Sequence, residues 1–164
     1  MPAAYTASDI ANWFLGAIDR DAGDAITHLK LQKLVYYAQA WSLALPKRGY
    51  PLFDEEIQAW AHGPVAESVF HEHKGNAWEA LAVPERAPEI AQDDAEHLQE
   101  ILSVFGEYSA KQLERMTHNE APWLAARGDL PPEARSNDVI DKRHMAAFYR
   151  ELYERAENEP RQAA

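Results

Sequence analysis

The chain has no cysteine, which removes disulfides, thiolate metal sites and cysteine nucleophiles from consideration at once. Glycine is scarce, with seven in 164 residues, and none falls into G-x-G-x-x-G, G-x-x-x-x-G-K-[ST] or G-x-S-x-G. The common phosphate-cradling loops and the hydrolase nucleophile elbow are therefore missing. Positive charge is also short: 16 Lys and Arg stand against 27 Asp and Glu, a formal net charge of −11. That field repels a phosphate backbone, so nucleic acid is not expected as the main partner, whereas solubility and a basic protein partner are favoured. No apolar run approaches the ~18 residues that a membrane-spanning helix requires. Met1 to Tyr5 shows no basic segment leading into an apolar one. Neither export nor membrane insertion is signalled, and a soluble cytoplasmic protein is the expectation.

What is present is burial capacity. Hydrophobic residues make up 46% of the chain, with five Trp and seven Tyr, and a chain of this length buries roughly 70% of its unfolded surface. The expected architecture is mainly α: a compact single-domain bundle of about six or seven helices around a central buried helix, 27–45, with two short strands at 56–61 and 137–140. Residues 1–155 form the domain and 156–164 a flexible tail.

The periodicity places these elements. Ile10, Trp13, Phe14, Ala17 and Ile18 repeat at helical spacing behind Ser8 as cap, with Asp19 to Asp24 as the polar exit. Thr27 caps a second helix that runs to Pro46. Along it Leu31, Leu34, Val35, Ala38, Trp41 and Leu45 form one apolar stripe, and Leu29, Tyr36 and Leu43 a second one nearly opposite. Such a helix is central, and only Lys30, Lys33 and Tyr37 remain as a thin polar edge. Gly63-Pro64 reads as the start of a third helix, with Val65, Val69 and Phe70 on its apolar face and Gly75 at its end. Ala95 to Phe105, a capping box at Ser109 and Gln112, a turn from Pro122 to Arg127 and a last helix from Asp141 complete the series.

Candidate chemistry is thin. His71 and His73 lie at i and i+2, about 160° apart on a helix, so they do not form a joint metal site, and solvated surface histidines are the expected reading. His118 and Glu120 supply a possible acid and base, with no nucleophile in a recognisable setting. Trp60 before His62-Gly63-Pro64, and Trp123 after Pro122, set a large ring beside a rigidifying proline, a way to present a binding anchor at low entropy cost or to pack a core. No cofactor or metal is expected.

Three segments, taken in order, resemble the marked blocks of the Panacea (SocA-like) antitoxin domain: Leu29 to Trp41 (LKLQKLVYYAQAW), Ala59 to Val65 (AWAHGPV) and Thr117 to Trp123 (THNEAPW). The likeness spans about residues 8 to 127, and Ile140, Met145 and Tyr149 fit a weaker C-terminal block. His62 departs from the pattern, which has an aromatic residue before Gly-Pro-Val. The resemblance implies a non-enzymatic antitoxin of a bacterial or phage toxin–antitoxin pair that neutralises a cognate protein toxin by direct binding. On that reading Lys30, Lys33, Tyr37, Trp60, His62, Glu120 and Trp123 are the partner-facing group, through charge-assisted hydrogen bonds and ring anchors. The competing account of the same residues is that they hold the three blocks together. Two other functions stay open: an adaptor that delivers its bound partner to a protease, and a small hydrolase or transferase using His118 and Glu120.

Overall fold

The computed structural model describes residues 2–18, 26–73 and 80–159. Its first helix, α1 (Ala7–Ala17), is capped by Thr6 and not by Ser8. The Thr6 hydroxyl accepts from the Asp9 N–H and the Asp9 carboxylate accepts from the Thr6 N–H, a reciprocal box that satisfies two otherwise unpaired donors. Ser8 lies two residues further on, already inside the helix. Its hydroxyl donates to Glu72 instead. The expected polar exit at Asp19 to Asp24 lies outside the described residues.

Helix α2 (His28–Ala44) starts behind Thr27 and stops before Pro46, as its sequence dictates. Helices α1, α3, α4, α5 and α7 all pack against it. Both apolar stripes are therefore covered. The polar edge is covered as well: Lys33 and Tyr37 are buried, and only Lys30 of the three is partly open.

Two glutamines of α2 act as surrogate strands, each pairing with extended backbone through both ends of its amide. Gln32 accepts from Ala66 N–H at 3.0 Å and donates to Ala66 O at 3.3 Å. Gln39 accepts from Leu52 N–H at 2.7 Å and donates to Phe53 O at 2.8 Å. Buried main-chain groups that no ladder reaches thus find partners on the central helix.

The hairpin is β1 (Ile57–Trp60) and β2 (Gly63–Ala66), antiparallel, with Ile57 opposite Ala66 and Trp60 opposite Gly63. Gly63-Pro64 therefore opens a strand where its sequence suggests a helix, and α3 begins only at Glu67 (Glu67–His73). Proline's fixed φ and missing N–H suit the first residues of an edge strand as well as the first turn of a helix. What decides between them is Gly63, whose φ of +114° no helix admits. The expected helix end at Gly75 lies outside the described residues. The segment expected as a second strand, 137–140, runs along the other side of β1: Ala59 N–H donates to Asp138 O and Ile140 N–H to Ile57 O, both at 2.8 Å. It contributes a single bridge, Gln58 with Val139.

The remaining helices are α4 (Gln92–Phe105), α5 (Ala110–His118), α6 (Ala121–Arg127) and α7 (Lys142–Asn158). Ser109 and Gln112 form the capping box ahead of α5, and Asp141 caps α7 by accepting from Arg143 N–H. The fold is mainly α, a bundle around α2 with one small antiparallel hairpin. α7 runs a little past the point where the tail was expected to begin.

Candidate functional site

The three sequence blocks meet at one place, the inner side of the hairpin. Lys33 rises from α2 so close beneath Gly63 that a Cβ there would lie 2.4 Å from Lys33 Cε and 3.1 Å from both Lys33 Nζ and Thr117 Oγ1. Only glycine fits, since the position combines that approach with a left-handed φ. Lys33 is 1% exposed, and burial pulls its ammonium down to about 8, against a smaller opposing pull from Glu114. The expected exposed edge of α2 is thus a buried seam, because α5 and the hairpin close over it.

Next to it, Glu120 gathers a set of tyrosines. Its Oε1 accepts from Tyr37 at 2.7 Å and from Tyr149 of α7 at 2.9 Å. Tyr149's proton is used on Glu120, so Tyr36, 2.9 Å from it, donates to the Tyr149 oxygen. Burial raises the Glu120 pKa, and the two tyrosine hydrogen bonds oppose that by stabilising the carboxylate. All three phenols are held neutral, pushed upward chiefly by burial. Tyr37 also stacks flat on Phe105, ring centroids 4.2 Å apart.

Trp123 closes the junction. Its indole N–H donates to Trp60 O at 2.9 Å, one of its faces stacks on His118 at 4.0 Å, and the Arg127 guanidinium lies 4.7 Å from its centroid. Burial lowers the His118 pKa. His118 and Glu120 are drawn to different neighbours, a tryptophan face and a tyrosine cluster, and do not form an acid–base pair. Among the described residues no group of three or more His, Asp or Glu is placed to hold a metal ion. His71 is exposed, whereas His73 packs 5.9 Å from His28. Burial and the nearby His73 and Lys33 draw His28 down to about 4.

The outer side of the hairpin is open, and Arg127 links it to the loop that faces it. This buried guanidinium donates to Ala59 O at 2.9 Å, and to the carbonyls of Pro131, Pro132 and Ala134 at 2.8, 3.2 and 2.6 Å. It takes up Ala59 O, next to the point where the pairing between β1 and the 138–140 segment stops, and the same guanidinium ties the preceding loop to β1. Between hairpin and loop lies a groove of about 700 Å³ with Trp60, His62 and Phe70 on one side and Glu133, Arg135 and Asn137 on the other. Trp60 and Phe70 meet edge to face at 4.7 Å. The Trp60 indole donates to Gln58, and Gln58 donates to Glu67 at 2.9 Å. The His62 side chain is 70% exposed and lies 3.4 Å from Glu114.

Of the residues singled out from sequence, Lys33, Tyr37, Glu120 and Trp123 are brought together at the inner junction. Trp60 and His62 face the groove. Lys30 stands apart, its ammonium 2.6 Å from Gly106 O at the α4–α5 corner. Arg127, Gln32 and Gln39 went unnoticed in the sequence. Their one visible signal is polarity at positions where the helical period puts apolar residues.

A family model described as "Antitoxin SocA-like, Panacea domain" matches residues 31–124. That is more than half of the chain, and it contains the second and third blocks and the first from Leu31 on, but not Lys30, α1 or α7. No curated protein and no solved structure gives a significant match. With its marked residues converging on one junction inside the matched region, the chain belongs to the SocA-like antitoxin family defined by the Panacea domain.

Proposed function

We propose that this protein is the antitoxin of a toxin–antitoxin pair, neutralising a cognate protein toxin by direct, stoichiometric binding without turnover. Family membership supports the antitoxin role. The observation that carries the binding mode is the groove at the tip of the family's second block, where partly open aromatic rings sit beside an exposed histidine. Exposed rings beside a polar rim are the usual make-up of a protein-binding hot spot. On this reading Trp60 and His62 contact the toxin, while Lys33, Tyr37, Glu120 and Trp123 set the shape of the surface that does. Lys30 would contribute at a separate edge, beside Gly106. The chain acts in the cytoplasm, where such a toxin would be made, and among the described residues no helix is long and apolar enough to cross a membrane.

The test is genetic and then biochemical. The reading frame adjacent to this one, expressed alone, is expected to arrest growth, and co-expression of this protein is expected to restore it with a 1:1 complex recoverable by gel filtration. An adjacent product that is harmless alone, or that is rescued without forming a complex, would contradict the proposal.

A further inference from the structure

We propose that the free backbone edge at Val139 takes up an extended segment of the toxin as an added β-strand; the inference rests on the antitoxin reading and specifies how the outer side makes its contact. The hairpin and the 138–140 segment together form a small sheet with two edges, and the edges differ.

The edge at β2 is closed. Ile57 O and Ala59 N–H are spent on the 138–140 segment, so the groups of Gln58 and Trp60 turn to β2, where they meet Val65 and Gly63. That leaves Pro64 and Ala66 facing outward from β2. Pro64 has no N–H. The Ala66 N–H and C=O are both held by the Gln32 amide, at 3.0 and 3.3 Å. Neither residue offers a donor to a further strand.

The edge at Val139 is open. Asp138 O accepts from Ala59 N–H and Ile140 N–H donates to Ile57 O, both at 2.8 Å, so the groups of Val139, which lies between them, turn away from β1. Among the described residues neither the Val139 N–H nor its C=O has a hydrogen-bond partner. Asn137 and Asp138 beside it are exposed. Val139 carries no edge protection of its own: it is neither proline nor charged, and it is 48% exposed.

An outward N–H and C=O on one edge recognise extended backbone, the mode in which a peptide adds a strand to a sheet. Val139 stands opposite Gln58, so the period of two puts Asn137, Val139, Gln58 and Trp60 on one face. Asn137 and Trp60 also line the groove. A strand added at Val139 therefore runs alongside the groove, with a β-branched or aromatic residue packed against the exposed valine. A second copy of this chain would present the same edge, but each copy carries −11, and that repulsion disfavours self-pairing.

The test uses the full chain and the product of the adjacent reading frame. Amide hydrogen exchange, read residue by residue by NMR, follows the Val139 N–H in the free protein and in the complex. It is expected to exchange freely in the first and at least about tenfold more slowly in the second, as a hydrogen-bonded amide does. Val139→Pro removes that outward N–H and keeps both bonds to β1, which Asp138 and Ile140 make. By calorimetry it is expected to bind about tenfold more weakly, the worth of roughly one hydrogen bond. Val139→Thr keeps the N–H and the branched shape and is expected to stay within about threefold of wild type. A Val139 amide that exchanges equally fast in the complex, or a proline variant that folds and binds like wild type, would overturn the proposal. Should the proline variant not fold, the exchange measurement decides. Protection of Val139 in the free protein, with a concentration-dependent dimer, would make a second copy the occupant and overturn it as well. A complex that leaves Val139 unprotected removes the edge assignment alone, whereas an adjacent product that forms no complex removes the antitoxin reading and this inference with it.

Discussion

On its inner side the β1–β2 hairpin meets Lys33, Thr117 and Trp123 in a space closed to solvent, whereas on its outer side it leaves Trp60, His62 and Phe70 around a groove of about 700 Å³. Both sides are built from the same short segment, and residues of the same kinds stand on each. The inner tryptophan spends its indole N–H on Trp60 O, which fixes the strand that presents the outer tryptophan. The comparison teaches that marked residues divide into those that shape a surface and those that form it. Type alone does not say which is which, because a buried Lys33 and an exposed binding lysine are written identically.

If the inner side is framework, its variants should act on stability first. Trp123→Ala is expected to cost about 3–5 kcal/mol, since it removes a buried ring together with its hydrogen bond and its contacts with His118 and Arg127. Urea denaturation followed by far-UV circular dichroism would measure it; a loss under 1 kcal/mol would mean that the junction is not framework.

Lys33 gives a prediction of opposite sign. Its ammonium loses its proton at about 8 when folded and at its ordinary value of 10.5 when unfolded. Between those values the unfolded chain binds the extra proton, so stability rises with pH across that window and the cost of the buried charge is fully present below pH 8. The cost is about 3 kcal/mol by the size of that displacement. Lys33→Met keeps the length of the side chain and removes the charge, so it is expected to be more stable at pH 7 and to lose the rise between pH 8 and pH 10. A Met variant that is less stable would show that the ammonium is well paired.

Tyr149→Phe tests whether α7 belongs to the junction. It deletes one of the donors to Glu120 and the acceptor of the Tyr36 hydroxyl, with an expected loss of about 1–2 kcal/mol. Because the Glu120 carboxylate would then lose one of the groups that stabilise it, the destabilisation should shrink as pH falls into the carboxylate range. The smallest effect is expected on the outer side: His62→Ala, at a mostly exposed side chain, should change the unfolding free energy by less than about 0.5 kcal/mol while still weakening the toxin.

Much of the fold was legible from local signals. Thr27 and Pro46 bound α2, Ser109 with Gln112 opens α5, and Asp141 opens α7, because caps and breakers act within one turn. The two opposed stripes on α2 correctly marked it as central. The misreadings beyond the first helix share a cause, contacts made from far along the chain. Ser8 was passed over because Thr6 and Asp9 made the better box. Gly63-Pro64 became a strand because Lys33 and Thr117, distant in sequence, press against Gly63. Lys33 and Tyr37 were expected to be exposed because their polarity is visible in sequence and the elements that cover them are not. The groove was the least legible feature, since the loop beside it is tied to the hairpin by Arg127 reaching Ala59, 68 residues away along the chain.

The central claim is that the outer face binds the toxin and the inner face only shapes it. Isothermal titration calorimetry of the purified toxin against wild type, Lys33→Met and His62→Ala/Glu133→Lys, each first shown to keep the wild-type circular dichroism spectrum, tests it directly. The account predicts wild-type affinity for Lys33→Met and a loss of about thirtyfold or more for the double variant. Undiminished binding by the double variant, or loss of binding confined to Lys33→Met, would contradict it.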